Sequence, residues 1–221
     1  MAEASDDDLD RLQRQAAELG VRLTAMQVDR LGRFVDALEI WNRRYRLVGS
    51  RSRRDLLELH VLDSLAPIRL LDSDREVADI GTGGGFPGIP MAIAMPEARF
   101  TLIDNRRIAA NFVREATRAL MLTNVSMLES EVERVAGTAD EPGRFDVTIA
   151  RAWTSLGPFL EVSARLLRPG GMAIAMKGPR VEEELAAQDE ARALFGEPER
   201  SAYEIPGRRG RVLVSFVRRD N

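Results

Sequence analysis

The chain has no cysteine and one histidine, His60. The first absence excludes a disulfide framework, a thiolate nucleophile and any cysteine-built zinc or iron–sulfur centre. The second excludes a histidine-rich metal site within one chain, so no metal is expected. Lysine is nearly missing too: Lys177 is the only one among 32 basic residues, and all the others are arginine. No apolar run approaches the roughly 20 residues that cross a bilayer. The stretch 88–96 is apolar but far too short. The first ten residues carry Glu3, Asp6, Asp7, Asp8 and Asp10 and no basic residue, so a secretory signal is not expected. The expectation is a cytoplasmic protein with no membrane partner.

What is present is globular. With 221 residues, 44% hydrophobic and 30% charged, the chain suits one α/β domain with an extension, and it can bury a substantial core. A net charge of −3 does not announce a nucleic-acid binder. The arginines nevertheless cluster, at Arg43, Arg44, Arg46, Arg51, Arg53 and Arg54, again at Arg208, Arg209 and Arg211, and near the end at Arg218 and Arg219. Each cluster reads either as a solvated face or as a patch for phosphates.

Periodicity divides the chain. Leu9, Leu12, Ala16 and Leu19 keep helical spacing up to Gly20, and Thr24 opens a second helix striped by Val28, Leu31, Phe34, Val35, Leu38 and Trp41. Further helix is expected over 51–59 and 62–71, making 1–72 a helical extension. From 73 to 221 strand and helix alternate. Strands are expected at 77–80, 99–103, 125–128, 145–150 and 172–176, with helices at 89–95, 109–121, 156–167 and 181–195. A polar turn at 140–144 and a Pro169-Gly170-Gly171 turn punctuate them, and the segments 203–206 and 212–217 read as a closing antiparallel hairpin around 207–210. The alternation predicts parallel βα units, an α/β Rossmann-like sheet with a C-terminal antiparallel hairpin; by fold analogy alone this matches the class I S-adenosylmethionine-dependent methyltransferase plan.

The most informative stretch runs from Asp79 through Gly81, Thr82, Gly83, Gly85 and Phe86 to Gly88, between a strand and a helix. Glycines there permit a tight turn and close approach of backbone to a ligand, and the helix start offers unpaired N–H groups. Asp79 can hold the loop or accept from a ligand amine. Asp104 ends the next strand, where a carboxylate can accept from a ribose diol. NAD and S-adenosylmethionine (AdoMet) both carry adenosine, so this pattern alone leaves both open. No lysine follows the glycines, which excludes a nucleotide-triphosphatase loop.

At Trp41-Asn42, His60-Val61-Leu62-Asp63-Ser64, the run from Asp79 to Pro90, Arg151-Ala152 and Lys177-Gly178, the chain resembles the bacterial 16S rRNA (guanine-N7) methyltransferase G family, also called glucose-inhibited division protein B. The resemblance runs from about residue 20 to the C-terminus. It implies an AdoMet-dependent N-methyltransferase acting on 16S rRNA or the small ribosomal subunit. By position, Asp79, Gly81, Thr82, Gly83, Gly85, Phe86 and Gly88 would form the cofactor loop. Asp104 would hold the ribose, and Ser130, Glu131 and Val132 would flank the adenine. Arg151 would face the methionine carboxylate or the substrate, or form a salt bridge at the sheet edge. Lys177 is the other candidate catalytic residue, with an ordinary surface lysine as its alternative. His60, Asp63, Trp153 and Lys177 are the candidate substrate residues. His60 would stack on a base or pair with Asp63. Trp41 lies on an apolar stripe and is expected in the core.

The chain departs from the family pattern where Arg46-Leu47-Val48 replace Asn-Leu-Thr, Leu59 replaces arginine, Ile108-Ala109 replace Lys-Arg and Glu131 replaces arginine. Cofactor-side residues are kept while basic or polar substrate-side residues change, and a reversed charge beside RNA phosphate is costly. Two alternatives therefore stay open. One is a paralogue that N-methylates a small heteroaromatic molecule. The other is an RNA-binding module without transferase activity.

Overall fold

The computed structural model describes residues 6–49, 52–136, 143–186 and 190–220. Helix α1 (Asp6–Glu18) ends at Gly20, whose φ of +83° is the left-handed conformation that glycine takes most cheaply. Thr24 then caps α2 (Ala25–Tyr45) through a reciprocal box: its side chain accepts from the Gln27 N–H, and the Gln27 side chain accepts from the Thr24 N–H. The Gln27 amide also donates to the carbonyls of Ile93 and Ala94, which fixes α2 against a helix of the sheet domain.

The expected helices at 51–59 and 62–71 are one helical run, described from Ser52 onward. It opens as α3 (Arg53–Asp55), widens to a π-helical stretch (Leu56–Leu62), returns to α geometry as α4 (Asp63–Leu65) and closes as a 3-10 turn (Ala66–Leu70). Arg51 and residues 140–142 of the expected polar turn lie outside the described residues.

The strands are β1 (Glu76–Ile80), β2 (Arg99–Asp104), β3 (Val125–Glu129), β4 (Phe145–Arg151), β5 (Leu167–Lys177), β6 (Glu199–Ile205) and β7 (Arg208–Val217). They form one sheet in the order β3-β2-β1-β4-β5-β7-β6. The pairings among β1 to β5 are parallel, and β7 returns antiparallel to β5 and β6. The order reverses between β1 and β4, the switch point where open α/β sheets bind ligands at the carboxyl ends of their strands. Helices α5 (Gly88–Ala94), α6 (Arg107–Ala119), α7 (Val132–Val135), α8 (Leu156–Leu166) and α9 (Val181–Ala186) follow the strands.

Three expectations need correction. Pro169-Gly170-Gly171 is not a turn between elements but an irregularity inside β5, where the register shifts between Phe145 and Val147. Gly170 takes φ +73° there, and the segment hydrogen-bonds to Arg218 at the end of β7. The expected helix 181–195 divides into α9 and a 3-10 turn (Glu190–Leu194), with 187–189 outside the described residues. The hairpin strands reach further than expected, and Arg208–Gly210 belong to β7.

Two apolar layers cover the sheet. On one side Leu31, Phe34 and Leu38 of α2 share a core with Ile89 and Met91 of α5 and Phe112 of α6. On the other, Phe159 and Leu160 of α8 pack with Phe195 and Phe216. The N-terminal helices are thus built into the first layer. Phe34 is fully buried, and each such side chain contributes roughly 1.5–3 kcal/mol of transfer free energy. Among the described residues no helix is long and apolar enough to cross a membrane.

Candidate cofactor cleft and its mouth

The glycine loop is pinned from both ends. The N–H groups of Gly81 and Thr82 both donate to the Ile103 carbonyl, at 2.8 and 3.1 Å. One oxygen of Asp79 accepts from the Thr82 hydroxyl at 2.6 Å and from the Gly88 N–H at 2.8 Å, spanning the loop from start to finish. The other Asp79 oxygen is buried without a partner among the described residues. Burial raises this carboxyl to about 6, and its two hydrogen bonds pull the other way. Glycine is required at two positions above all. At Gly81 (φ +70°) a Cβ would lie 2.3 Å from Trp153 Cδ1; at Gly88 it would lie 2.7 Å from an Asp79 oxygen.

Asp104, at the end of β2, is buried and fully engaged. It accepts from the N–H of Gly83 (2.8 Å) and of Arg106 (2.9 Å), and from Arg106 Nε (3.1 Å) and Nη2 (3.2 Å). Gly81, Asp104, Arg106, Ser130, Val132 and Trp153 line a cleft of about 440 Å³, and Glu131 and Glu133 are on the same wall. That volume is within the range of small-molecule sites. Of the expected cofactor residues, Gly81, Asp104, Ser130, Glu131 and Val132 therefore come together. Thr82, Gly85, Phe86 and Gly88 do not line this cleft; they are buried behind the loop and support it. Phe86 packs edge-on against Phe34, with ring centroids 5.3 Å apart. Glu131, the reversed charge, pairs with Arg134 at 3.2 Å.

The residues expected to hold substrate fall into two groups. Asp63 is not exposed to any ligand. It is fully buried and accepts from the Tyr203 hydroxyl (2.7 Å), from Arg211 Nε (3.0 Å) and Nη2 (2.8 Å), and from Arg151 Nη1 (3.4 Å). The expected link between His60 and Asp63 runs through Arg151, which meets both: its Nη2 lies 3.0 Å from His60 Nδ1. Arg151 also lies over the Phe86 ring, 4.8 Å from its centroid, and donates to the Leu59 carbonyl. Burial, then the charges of Arg151 and Arg208, lower His60 to about 3, so it is neutral near pH 7 and Nδ1 accepts from the guanidinium. Burial likewise lowers the pKa of Arg151, while Asp63 opposes the shift.

Lys177 is engaged within the protein. Its ammonium donates to the Thr154 carbonyl and to Glu184, both at 2.8 Å, and Glu184 accepts in turn from the Leu156 N–H. In this arrangement the lysine fixes the loop that carries Trp153. Trp153 stands over Gly81 on the cleft wall. Trp41 packs beside Phe112 and donates to Glu115 at the surface. The candidate site residues leave out Arg106, Tyr203, Arg211 and Glu184, although Arg106 stands two residues beyond Asp104 and Arg211 belongs to one of the arginine clusters.

The cleft fits an adenosyl group. A carboxylate stands where a ribose diol would sit, the Gly81 backbone forms part of the wall, and an indole covers that glycine. Comparisons agree. The family model for rRNA small subunit methyltransferase G matches residues 27–207. "Ribosomal RNA small subunit methyltransferase G" of Stenotrophomonas maltophilia is 39% identical over 208 residues, 91% of this chain and 94% of the relative. Its namesake in Methylococcus capsulatus is 42% identical over 174 residues, 79% and 82%. Among solved structures, a predicted O-methyltransferase of Agrobacterium tumefaciens aligns with TM-score 0.58 at 22% identity, covering 74% of this chain and 82% of that one. A mutant of MtNAS in complex with S-adenosylmethionine aligns with TM-score 0.55 at 16% identity, covering 96% and 78%.

Proposed function

The chain belongs to the rRNA small subunit methyltransferase G family, and on that premise we propose that this AdoMet-dependent methyltransferase acts in the cytoplasm on 16S rRNA, at N7 of a guanine. The reading rests on one observation in particular: a carboxylate, Asp104, on the wall of a cleft that the glycine loop also lines, at the switch point of the sheet.

Bound AdoMet supplies a methyl group already activated on sulfonium sulfur. The chain's part is to bind and align. Asp104 would accept from the ribose hydroxyls once the Arg106 side chain gives way, Ser130 and Val132 would flank the adenine, and Trp153 closes the wall above Gly81. Asp63 fixes Arg151 from behind, so the guanidinium stays over Phe86 at the carboxyl end of β4. N7 of guanine carries its own lone pair and needs no general base. His60, neutral down to about pH 3, then serves as a fixed acceptor for Arg151. The charge at Glu131, one of the four departures that argued for a small acceptor, is paired with Arg134 within the same turn.

The test is transfer of labelled methyl from AdoMet to small subunits lacking the mark, beside a cell metabolite extract. Label in 16S rRNA is expected. Label in a small molecule would overturn the acceptor, and no label in either would overturn the transfer.

A further inference from the structure

The arginine cluster of the α2–α3 region is not uniform. Arg53 is committed to Asp36 at 2.5 Å and Glu39 at 3.1 Å, and Arg54 to Glu58 at 3.1 Å. Arg43 and Arg46 are exposed, and neither has an ion-pair partner among the described residues. Together with Asn42 and Leu56 they line a hollow of about 310 Å³, where Glu39 is already held by Arg53. Arg46 takes φ +50°, ψ 52°, a left-handed conformation costing roughly 1–2 kcal/mol for a residue with a Cβ. Two hydrogen bonds hold the turn: its N–H donates to the Asn42 carbonyl, and the Val48 N–H donates to Asn42 Oδ1. Val48 then packs on the glycine loop, 3.1 Å from where a Gly84 Cβ would be. The hollow thus adjoins the cofactor loop.

The second uncompensated pair is on the hairpin. Lys177, the last residue of β5, pairs with Val212, so β7 begins four residues earlier and Arg208–Arg211 project past the carboxyl end of β5. That is the ligand edge of the sheet. Arg211 is taken by Asp63, whereas Arg208 and Arg209 are exposed and have no carboxylate partner among the described residues. The tip is well fixed: Gly207 faces Leu59, Gly210 faces Pro179, and Asp63 holds both Tyr203 and Arg211. The π-helical stretch joins the two pairs, because Leu56 lines the first hollow and Leu59 meets the hairpin tip. Leu56 and Leu59 are three residues apart in that stretch. At the opposite edge, by contrast, Arg168 pairs with Asp146 and Arg218 donates to the Leu167 carbonyl.

We propose that Arg43 with Arg46 and Arg208 with Arg209 form a two-sided clamp for the sugar–phosphate backbone of the RNA acceptor, flanking the mouth where Arg151 lies over Phe86. The clamp rests on the RNA reading above and adds to it the surface that the strand contacts. Guanidinium forks match phosphate geometry. In a chain whose net charge is −3, attraction to a polyanion has to come from such a local concentration of charge.

The test uses the full chain saturated with S-adenosylhomocysteine, with 16S rRNA binding measured between about 50 and 200 mM salt. The variants are Arg43→Gln with Arg46→Gln, Arg208→Gln with Arg209→Gln, and a control, Arg118→Gln with Arg219→Gln, at the far edge. Each mouth pair should weaken binding on the order of tenfold and flatten the log–log salt slope by about 1 to 2. The control should match wild type, and S-adenosylhomocysteine affinity should be unchanged in all three, which confirms folding. Mouth variants with wild-type affinity and slope, while the wild type still methylates RNA, would overturn the clamp and leave the acceptor reading standing. Equal weakening by the control would also overturn the clamp. A wild type that neither binds nor methylates RNA would overturn the acceptor reading and the clamp together.

Discussion

Asp104 and Arg106, two residues apart, are joined through both carboxylate oxygens, with Nε at 3.1 Å and Nη2 at 3.2 Å. The guanidinium is more than half exposed while the carboxylate is buried, so the arginine is the partner free to leave. Any diol that binds Asp104 must compete with it.

That competition sets opposite signs for two variants. Asp104→Ala should weaken AdoMet binding by about 30-fold or more, through loss of charge-assisted hydrogen bonds. Arg106→Ala should tighten it, by no more than about fivefold, because a half-exposed ion pair is worth at most about 1 kcal/mol. Calorimetric titration of both variants checks this, and weaker binding by Arg106→Ala would mean that the arginine assists the ligand.

Gly81→Ala places a methyl 2.3 Å from the Trp153 ring in a backbone conformation of φ +70°. The indole must move off the loop. Stability should fall by roughly 1–3 kcal/mol and cofactor affinity should fall with it. Denaturant unfolding and calorimetry measure the two effects. An unchanged affinity would remove Trp153 from the site.

Asp63→Ala leaves Arg151 and Arg211 facing each other without their shared carboxylate. Breaking a buried pair from one side costs about 3–5 kcal/mol, a fall in Tm on the order of 10 °C for a chain of this size. Tyr203→Phe removes one hydrogen bond from the same carboxylate and should cost about 1 kcal/mol. Thermal unfolding of both variants tests the ranking. Equal effects would contradict the central place given to Asp63.

The sheet was legible because β1, β2 and β4 are short apolar runs that end in chemistry: the glycines, Asp104 and Arg151. The cleft wall was legible because Asp104 ends a strand and Gly81, Ser130, Glu131 and Val132 follow strand ends. The role of Asp63 was not legible, because Tyr203 and Arg211 lie 140 and 148 residues away and face it only once β6 and β7 are in register. Lys177 was placed correctly at a strand end, but its direction depends on Glu184, on a helix that sequence alone made too long. Pro169-Gly170-Gly171 misled because the same residues suit a turn and an irregular strand pairing.

His60 gives the fold an acid dependence. Its pKa is lowered from 6.5 to about 3, so its contribution to stability is complete above 6.5 and is lost as pH falls from there toward 3. Asp79, raised from 3.8 to about 6, acts in the opposite sense: its contribution is present below 3.8 and is lost as pH rises through 6. His60→Gln removes only the first. The stability gap between wild type and this variant should therefore narrow as pH drops from about 7 to about 5. Urea unfolding across that range measures it, and a constant gap would contradict a His60 held neutral in the fold.

A crystal structure of the chain grown with S-adenosylhomocysteine tests the central claim most directly. The account predicts both ribose hydroxyls within hydrogen-bond distance of Asp104, the Arg106 guanidinium displaced, and the adenine beside Ser130 and Val132. A nucleoside bound elsewhere, with Arg106 still seated on Asp104, would contradict it.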